Sequence, residues 1–177
     1  ALRSAEERGV QVVSIHPLFG PLAKDLRRKK VLMVRTGRRE TRGFQIVKRI
    51  FSNARFSVTD PTLHDKQTAL TLALPHFLNM AFAMTLCKRN VAELREFAGR
   101  TFDLQMLLAE TIASEPETTA DIQVLNKEFR SVLDELQQNV SMLARSVKRH
   151  DRTALINRYR HLRESLLSDP NFTFAGD

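Results

Sequence analysis

Several residue types are scarce in this sequence, and each scarcity excludes a class of protein or site. The chain of 177 residues has one cysteine, Cys87, no tryptophan and one tyrosine. A single thiol cannot form a disulfide within the chain and gives no zinc-binding pattern, so we expect a protein of the reducing cytoplasm without a metal site. The six glycines do not form a GxGxxG sequence, which excludes a complete phosphate-binding loop for a dinucleotide from these residues.

Positive charge is concentrated in the first third of the chain. Residues 1–60 contain 14 Lys and Arg against 5 Asp and Glu, an excess of +9, whereas residues 61–177 contain 14 against 15, so the net charge is +9 − 1 = +8. Such a region can attract nucleic acid, anionic lipid or small anionic ligands. The densest basic stretch, from Lys24 to Arg42, has no aromatic residue that could stack on a base. We therefore expect no nucleic-acid partner.

The pattern of residues 1–60 is that of an α/β sheet. The predicted elements are, in order, strands at 10–15 and 31–36, an amphipathic helix at 40–53 and a strand at 54–58. His16-Pro17 is expected to end the first strand. Three strands and one helix are too few to cover both faces of a sheet, so we expect Ala1 to lie within a domain rather than at its start.

Nearly all of the sequence after residue 60 predicts helix. Asp60 is a favourable N-cap and Pro61 suits the first helical position of a long helix that runs to Leu86. Residues 68–86 contain no Asp, Glu, Lys or Arg, which would also suit a membrane span. Six polar or proline residues interrupt that segment, so we predict instead the central helix of a bundle or a dimer, with no membrane partner. The six are Thr68, Thr71, Pro75, His76, Asn79 and Thr85.

Four more helices are predicted after the long apolar one. They cover about 91–97, 101–114, 117–149 and, after an Asp151 cap, a stretch ending near 168. The helix at 117–149 carries an apolar residue every three or four positions, which predicts one nearly continuous seam. The seam consists of Ile122, Leu125, Phe129, Val132, Leu136, Val140, Leu143 and Val147.

Two short sequences place polar side chains where a ligand could bind. The HPLFGP sequence at 16–21 follows a strand, and ligands of doubly wound sheets bind at strand ends, although a lone His-Pro is also common in turns. His64-Asp65 stands at the head of the long helix, and His76 lies within it after Pro75. Proline there removes the hydrogen bond to the Thr71 carbonyl and kinks the helix, which suits a pocket, although His76 alone could equally be a core histidine.

In order and spacing, these features resemble the prephenate dehydrogenase family. The HPLFGP sequence, the strand-helix-strand after it, the His-Asp pair and the LPHF sequence at 74–77 carry the resemblance, which covers about residues 10–150. It implies the end of a Rossmann-type dinucleotide-binding sheet in residues 1–60, followed by an all-α domain in residues 61–177 that binds substrate and forms a homodimer. It also implies oxidation of prephenate, or of its amino relative arogenate, with NAD or NADP in tyrosine biosynthesis.

The resemblance also assigns roles to individual residues. His16 matches the family's catalytic histidine, which accepts a hydrogen bond from the ring hydroxyl as hydride leaves for nicotinamide and carbon dioxide is lost. Pro17 is assigned to the cofactor-binding surface. His76 matches a histidine that lines the substrate pocket. His64 and Asp65 match the family's His-Asp pair, and we place His64 at the substrate site as support for it more than as a catalytic group.

Two features depart from the family pattern. The GxGxxG loop lies upstream of the HP turn in the family, so we expect the main cofactor-binding half to lie outside these residues. Counting back from Pro116, the position of the family's substrate-binding arginine is Glu110, whose carboxylate would repel a dicarboxylate substrate. Arg100 on the same segment is the nearest replacement, and both residues are retained as substrate-binding candidates. A different substrate or a shifted alignment are the alternatives.

Three functions are therefore weighed. A part of a prephenate dehydrogenase explains the truncated sheet, the HP turn and the long apolar helix together. A non-catalytic dimerisation or regulatory module is the alternative, favoured by Glu110 and by the missing glycine-rich loop. A basic nucleic-acid-binding helical protein rests on charge alone.

Overall fold

The computed structural model of the chain describes residues 2–10, 12–20, 23, 25–35 and 40–170. Pro21 of the HPLFGP sequence and parts of the basic stretch lie outside these residues. The chain forms two compact units, one up to Phe129 and the other from Arg130. The predicted domain boundary at residue 60 lies within the first unit and stays a prediction.

A small sheet followed by many helices confirms the predicted fold class. The elements are α1 (Leu2–Glu7), β1 (Ser14–Pro17), β2 (Lys30–Val34), α2 (Glu40–Ile50), β3 (Arg55–Thr59), α3 (Pro61–Thr68), a π-helical turn (Ala69–Ala73), α4 (Leu74–Leu86), α5 (Val91–Glu96), α6 (Arg100–Ala113), α7 (Pro116–Leu125), α8 (Phe129–Lys148) and α9 (Arg152–Leu167). Of these, α1 has no counterpart in the predicted elements.

The strands form one sheet in the order β1-β2-β3, with β1 antiparallel to β2 and β2 parallel to β3. β1 ends at His16-Pro17, as predicted, but it covers residues 14–17 instead of 10–15. It contains both residues, with His16 opposite Leu32 and Pro17 opposite Val31. The Leu18 N–H donates to the Lys30 carbonyl at 2.9 Å. Leu18 and Lys30 are therefore a hydrogen-bonded pair, and such pairs alternate with non-hydrogen-bonded pairs along an antiparallel ladder. Pro17 and Val31 form a non-hydrogen-bonded pair, so the missing N–H of Pro17 costs this edge strand no hydrogen bond.

Alternation along the strands separates a packed face from the face that carries His16. Val31 and Met33 of β2 are 0% and 1% exposed and form the centre of a core with Val47 of α2. Gly43 allows α2 to approach β1 closely, because a Cβ there would collide with Val13. Successive side chains point to opposite sides of a sheet, so His16 projects away from this core.

The long helix begins as predicted. The Asp60 carboxylate accepts a hydrogen bond from the Leu63 N–H at 3.0 Å, and Pro61 occupies the first turn. Just before Pro75, where a kink was predicted, the helix contains a π-helical turn, in which the Leu74 N–H bonds to the Ala69 carbonyl five residues earlier. A π turn inserts one residue into the helical path, so the chain continues through the proline instead of stopping.

A buried polar bridge joins α4 to α6. Asn79 is 5% exposed, donates to the Pro75 carbonyl at 2.7 Å and accepts from Gln105 at 2.8 Å. The buried carboxamide of Asn79 thus has a partner for both its nitrogen and its oxygen. Beside it, the rings of Phe82 and Phe102 meet edge to face with centroids 6.0 Å apart.

The predicted single helix at 117–149 is wrong, because it divides at Asn126 into α7 and α8. Asn126 has extended backbone angles, its carboxamide oxygen accepts from the Glu128 N–H at 3.0 Å, and its amide nitrogen donates to the Asp65 carbonyl at 2.9 Å. An Asn side chain that bonds its own backbone two residues on forms a turn that competes with helix. The apolar seam therefore does not lie on one continuous helix.

The second unit contains most of α8 and all of α9. A tight turn joins the two helices, with His150 in the left-handed region at φ 54°. Asp151 caps α9, as predicted, by accepting from the Ala154 N–H at 2.9 Å.

Candidate functional site

His16 is the first of three side chains joined by hydrogen bonds. Its Nδ1 lies 2.9 Å from Nε2 of His64, and Nδ1 of His64 lies 2.8 Å from Oδ1 of Asp65. The two imidazole rings are tilted by 60°, with centroids 5.1 Å apart. The sequence places His16 and His64 in different elements, 48 residues apart, and the fold brings them together.

The backbone around the His-Asp pair is held from several directions. The Asp60 cap fixes the first turn of α3, and the His64 N–H bonds to the Asp60 carbonyl at 2.9 Å. Thr68, buried within the helix, donates to the His64 carbonyl at 2.8 Å. Asn126 donates to the Asp65 carbonyl from the start of the α7–α8 turn. His64 therefore approaches β1 from a rigid position.

A cavity of about 470 Å³ opens on one side of His16. Its walls come from the end of β1 and the turn after it, from the π-helical turn and α4, and from α6 and α7. The lining residues are His16, Pro17, Leu18, Phe19, Gly20, Thr71, Leu72, His76, Thr111, Ile112, Glu115, Thr118, Thr119 and Ile122. The volume suits one small organic ligand, and the mixture of apolar walls with a few polar groups is typical of a ligand-binding site.

Both histidines that line this cavity favour the neutral form. Burial, and secondarily the nearby His64, lower the pKa of His16 from its usual value of 6.5. Burial alone lowers the pKa of His76. Nδ1 of His76 is buried, and no described residue hydrogen-bonds to it. A buried ring nitrogen without a protein partner is suited to a polar ligand atom.

The structure brings some of the predicted site residues together and leaves others apart. His16, Pro17 and His76 line the cavity. His64 is not among the lining residues, and its Nε2 is hydrogen-bonded to Nδ1 of His16, which does line the cavity.

The two candidates from α6 do not line the cavity. Glu110 forms an exposed ion pair with Arg95 at 2.6 Å, and Arg100 is an exposed residue at the start of the helix. Within the described residues, His64, Glu110 and Arg100 therefore do not line the cavity, and their assignment to the substrate stays a prediction.

Glu115 and four threonines line the cavity, and sequence analysis did not find them. Glu115 is the residue before Pro116 at the start of α7, and its backbone is not helical. The Thr119 hydroxyl donates to the Ile112 carbonyl at 3.2 Å, which closes the α6–α7 corner into one wall. A Glu-Pro at a helix start is common, so no signal in the sequence marks this corner as part of a site.

The described residues do not form a phosphate cradle for a dinucleotide. Gly20 lines the cavity, but the sequence has no GxGxxG loop. The space beside Gly43 is occupied by the side chain of Val13 and is not open to a phosphate. Pro17 lines the cavity, and its assignment to the cofactor-binding surface stays a prediction.

Comparison with known proteins identifies relatives over most of the chain. The sequence model described as prephenate dehydrogenase, dimerization domain, matches residues 60–162. A "Probable arogenate/prephenate dehydrogenase" of Methanocaldococcus jannaschii is 26% identical over 162 residues, which is 88% of this chain and 36% of that protein.

Solved structures share the fold. Prephenate dehydrogenase from Aquifex aeolicus, in complex with hydroxyphenyl propionate and NAD+, matches with a TM-score of 0.58 and 22% identity over 80% of this chain and 50% of that one. Synechocystis arogenate dehydrogenase matches with a TM-score of 0.61 and 12% identity over 86% of this chain and 59% of that one. The chain thus spans between about one third and three fifths of the length of these relatives.

The lowered pKa values of His16 and His76 predict how this site titrates. In the unfolded chain both histidines become protonated as the pH falls through about 6.5, whereas in the folded chain they become protonated only at lower pH. The contribution of both groups to the free energy of unfolding is therefore fully present above pH 6.5. It is lost as the pH falls through the folded pKa values. We expect NMR titration of the imidazole Cε1 protons, assigned with His16→Asn and His76→Asn, to give both midpoints below those of the chain in denaturant. A midpoint above the denatured value for either residue would contradict this account.

Proposed function

The chain belongs to the prephenate dehydrogenase family, and from that premise we propose that the natural protein containing it oxidises arogenate or prephenate with a nicotinamide dinucleotide. The observation that carries the proposal is His16, whose ring lies at the wall of a small-molecule cavity with one nitrogen bonded to His64. Its pKa is lowered, so the ring is neutral near pH 7 and can accept a proton there. The Aquifex relative that binds hydroxyphenyl propionate and NAD+ supports an aromatic-sized ligand in this fold.

The contribution of this chain to such a reaction is the removal of a proton. The substrate ring carries a hydroxyl group, and His16 accepts that proton as the C–O bond becomes a carbonyl. When bound, the oxidised nicotinamide is the hydride acceptor. Loss of the ring carboxylate as carbon dioxide then returns an electron pair to the ring and its oxygen, and return of the proton from His16 to that oxygen gives a phenol. We infer from NAD+ in the Aquifex complex that NAD serves this protein, with NADP as the alternative.

We propose that the apolar helix is covered by a second copy of the chain. Pro61–Leu86 is long and apolar enough to cross a membrane by length and composition, yet only 17% of its most apolar window is buried. Leu63, Leu70 and Leu78 are 47%, 50% and 40% exposed along it. This helix lies within the region matched by the dimerization domain, which favours a partner subunit over lipid as the cover. A cytoplasmic location agrees with this assignment and stays a prediction.

Activity of the natural protein tests the function. We expect nicotinamide reduction with arogenate or prephenate, and a loss of about 10²-fold to 10⁴-fold in kcat for His16→Asn, because general-base catalysis contributes on that scale. The measurement is absorbance of the reduced nicotinamide, with circular dichroism to show that the variant is folded. Absence of turnover with both substrates, from folded protein, would instead favour the non-catalytic dimerisation module.

Glu115 favours arogenate over prephenate as the substrate. It is the one acidic residue among the lining residues of the cavity, and the described lining contains no Lys or Arg. Arogenate carries an ammonium group where prephenate carries a keto group. A carboxylate at the wall therefore attracts arogenate and repels the more anionic prephenate.

The substrate preference can be tested with a matched pair of glutamates. We expect Glu115→Gln to shift the ratio of kcat/KM values toward prephenate by about two- to fivefold, because an exposed ion pair contributes up to about 1 kcal/mol. Glu110→Gln serves as the control, since Glu110 pairs with Arg95 outside the cavity. An unchanged ratio for Glu115→Gln, or an equal shift for Glu110→Gln, would contradict the assignment.

The dimer can be tested in the same way. We expect Leu70→Asp to produce a monomer, because it places a charge on the exposed apolar face of the long helix. Ile50→Asp is the control, since Ile50 is 66% exposed but lies on α2, outside residues 60–162. Light scattering reports the mass of each protein. A monomeric unsubstituted protein, or one that partitions into membranes, would contradict the partner-subunit cover.

A further inference from the structure

We propose that His64 is a positioning residue that holds His16 in the tautomer whose Nε2 is an unprotonated acceptor for the ligand in the cavity. This inference rests on the proposed function for its catalytic meaning, but the tautomer itself is a property of the hydrogen-bond network. The network runs from Asp65 through His64 to His16, with heavy-atom distances of 2.8 and 2.9 Å.

The direction of the hydrogen bonds follows from the acceptor at one end. An ionised carboxylate can only accept, so Nδ1 of His64 carries the hydrogen that bonds to Asp65. A neutral imidazole has one N–H, so Nε2 of His64 is left with a lone pair. His16 must then donate from Nδ1 to that lone pair. Its single hydrogen is used there, and Nε2 of His16 remains an acceptor.

The remaining nitrogen is the one available to a ligand. His16 lines the cavity, whereas His64, bonded to its Nδ1, does not. In the reverse tautomer, Nε2 would carry a hydrogen and could not accept a hydroxyl proton. The tautomer of His16 thus decides whether its own ring can act as a base in this cavity.

The same hydrogen-bond network stabilises His16 after it has accepted the substrate proton. The substrate O–H bond breaks, its electron pair stays with the oxygen, and a new N–H bond forms at Nε2 of His16. The ring is then a cation that still donates from Nδ1 to His64, while Asp65 supplies the compensating charge. Asp65 is 54% exposed on its side chain and His64 is 20% exposed, so the charge effect is partly screened.

Protonation of His64 would reverse the direction of the hydrogen bond between the two histidines. A doubly protonated His64 donates from Nε2, which forces His16 to accept at Nδ1 and to carry its hydrogen at Nε2. Around His16, the other described titratable groups are Asp65 on α3, His76 on α4 and Glu115 at the start of α7. His16 must be neutral for the base to function, so activity is lost as the pH falls through the lowered pKa of His16.

Two substitutions separate positioning from mere packing. His64→Gln places a carboxamide oxygen near the former Nε2, where it can accept from His16. His64→Leu has similar bulk but no acceptor. We expect kcat to fall about 10²-fold in His64→Leu, the low end of general-base effects, while His64→Gln recovers most of it.

A measurement that does not depend on catalytic activity determines the tautomer of His16. The ¹⁵N chemical shifts of His16, assigned with His16→Asn in the labelled natural protein at pH 8, distinguish protonated from unprotonated ring nitrogens. We expect Nδ1 protonated and Nε2 unprotonated, with a mixture of tautomers in His64→Leu. A protonated Nε2, or a kcat for folded His64→Leu equal to that of the unsubstituted protein, would overturn the proposal. Failure of the proposed function would instead appear as no turnover with the expected tautomer in place.

Discussion

The hydrogen bond between His16 and His64 is the contact on which the site depends, because it joins a sheet strand to the first turns of the long helix. Each partner is fixed by its own element. The strand ladder and the packed core behind it orient His16, whereas the Asp60 cap and the Asn126 bridge hold the His-Asp pair. A change in the position of either element would separate two ring nitrogens that now lie 2.9 Å apart.

The long helix, from Pro61 to Leu86, has two roles. Its first turn carries His64, which bonds to His16, and its middle contributes Thr71, Leu72 and His76 to the cavity. Several of its apolar side chains remain exposed in a single chain, as the half-exposed Leu70 illustrates. The π-helical turn before Pro75 changes the rotational register between the two halves. The same helix can therefore present polar groups to a ligand and an apolar face to a partner.

Sequence patterns predicted the elements better than their junctions. Asp60, Pro61 and Asp151 have local capping roles that follow from residue type, and all three occur as expected. The break at Asn126 was not predicted because its amide bonds to the Asp65 carbonyl, 61 residues away. Pro17 ends β1 as expected, but it lies within the strand, because the ladder register places its missing N–H where no donor is needed. Junctions depend on distant partners that a local pattern does not contain.

By itself, the sequence determined the family, the mostly helical fold and the histidines worth examining, because spacing and capping are local properties of residue type. The tertiary structure decided which of them meet. It set His64 behind His16 instead of in the cavity, paired Glu110 with Arg95, and brought Glu115 to the wall through the α6–α7 corner. Proximity between residues far apart in sequence is fixed by packing and register, and a tautomer is fixed in turn by that proximity.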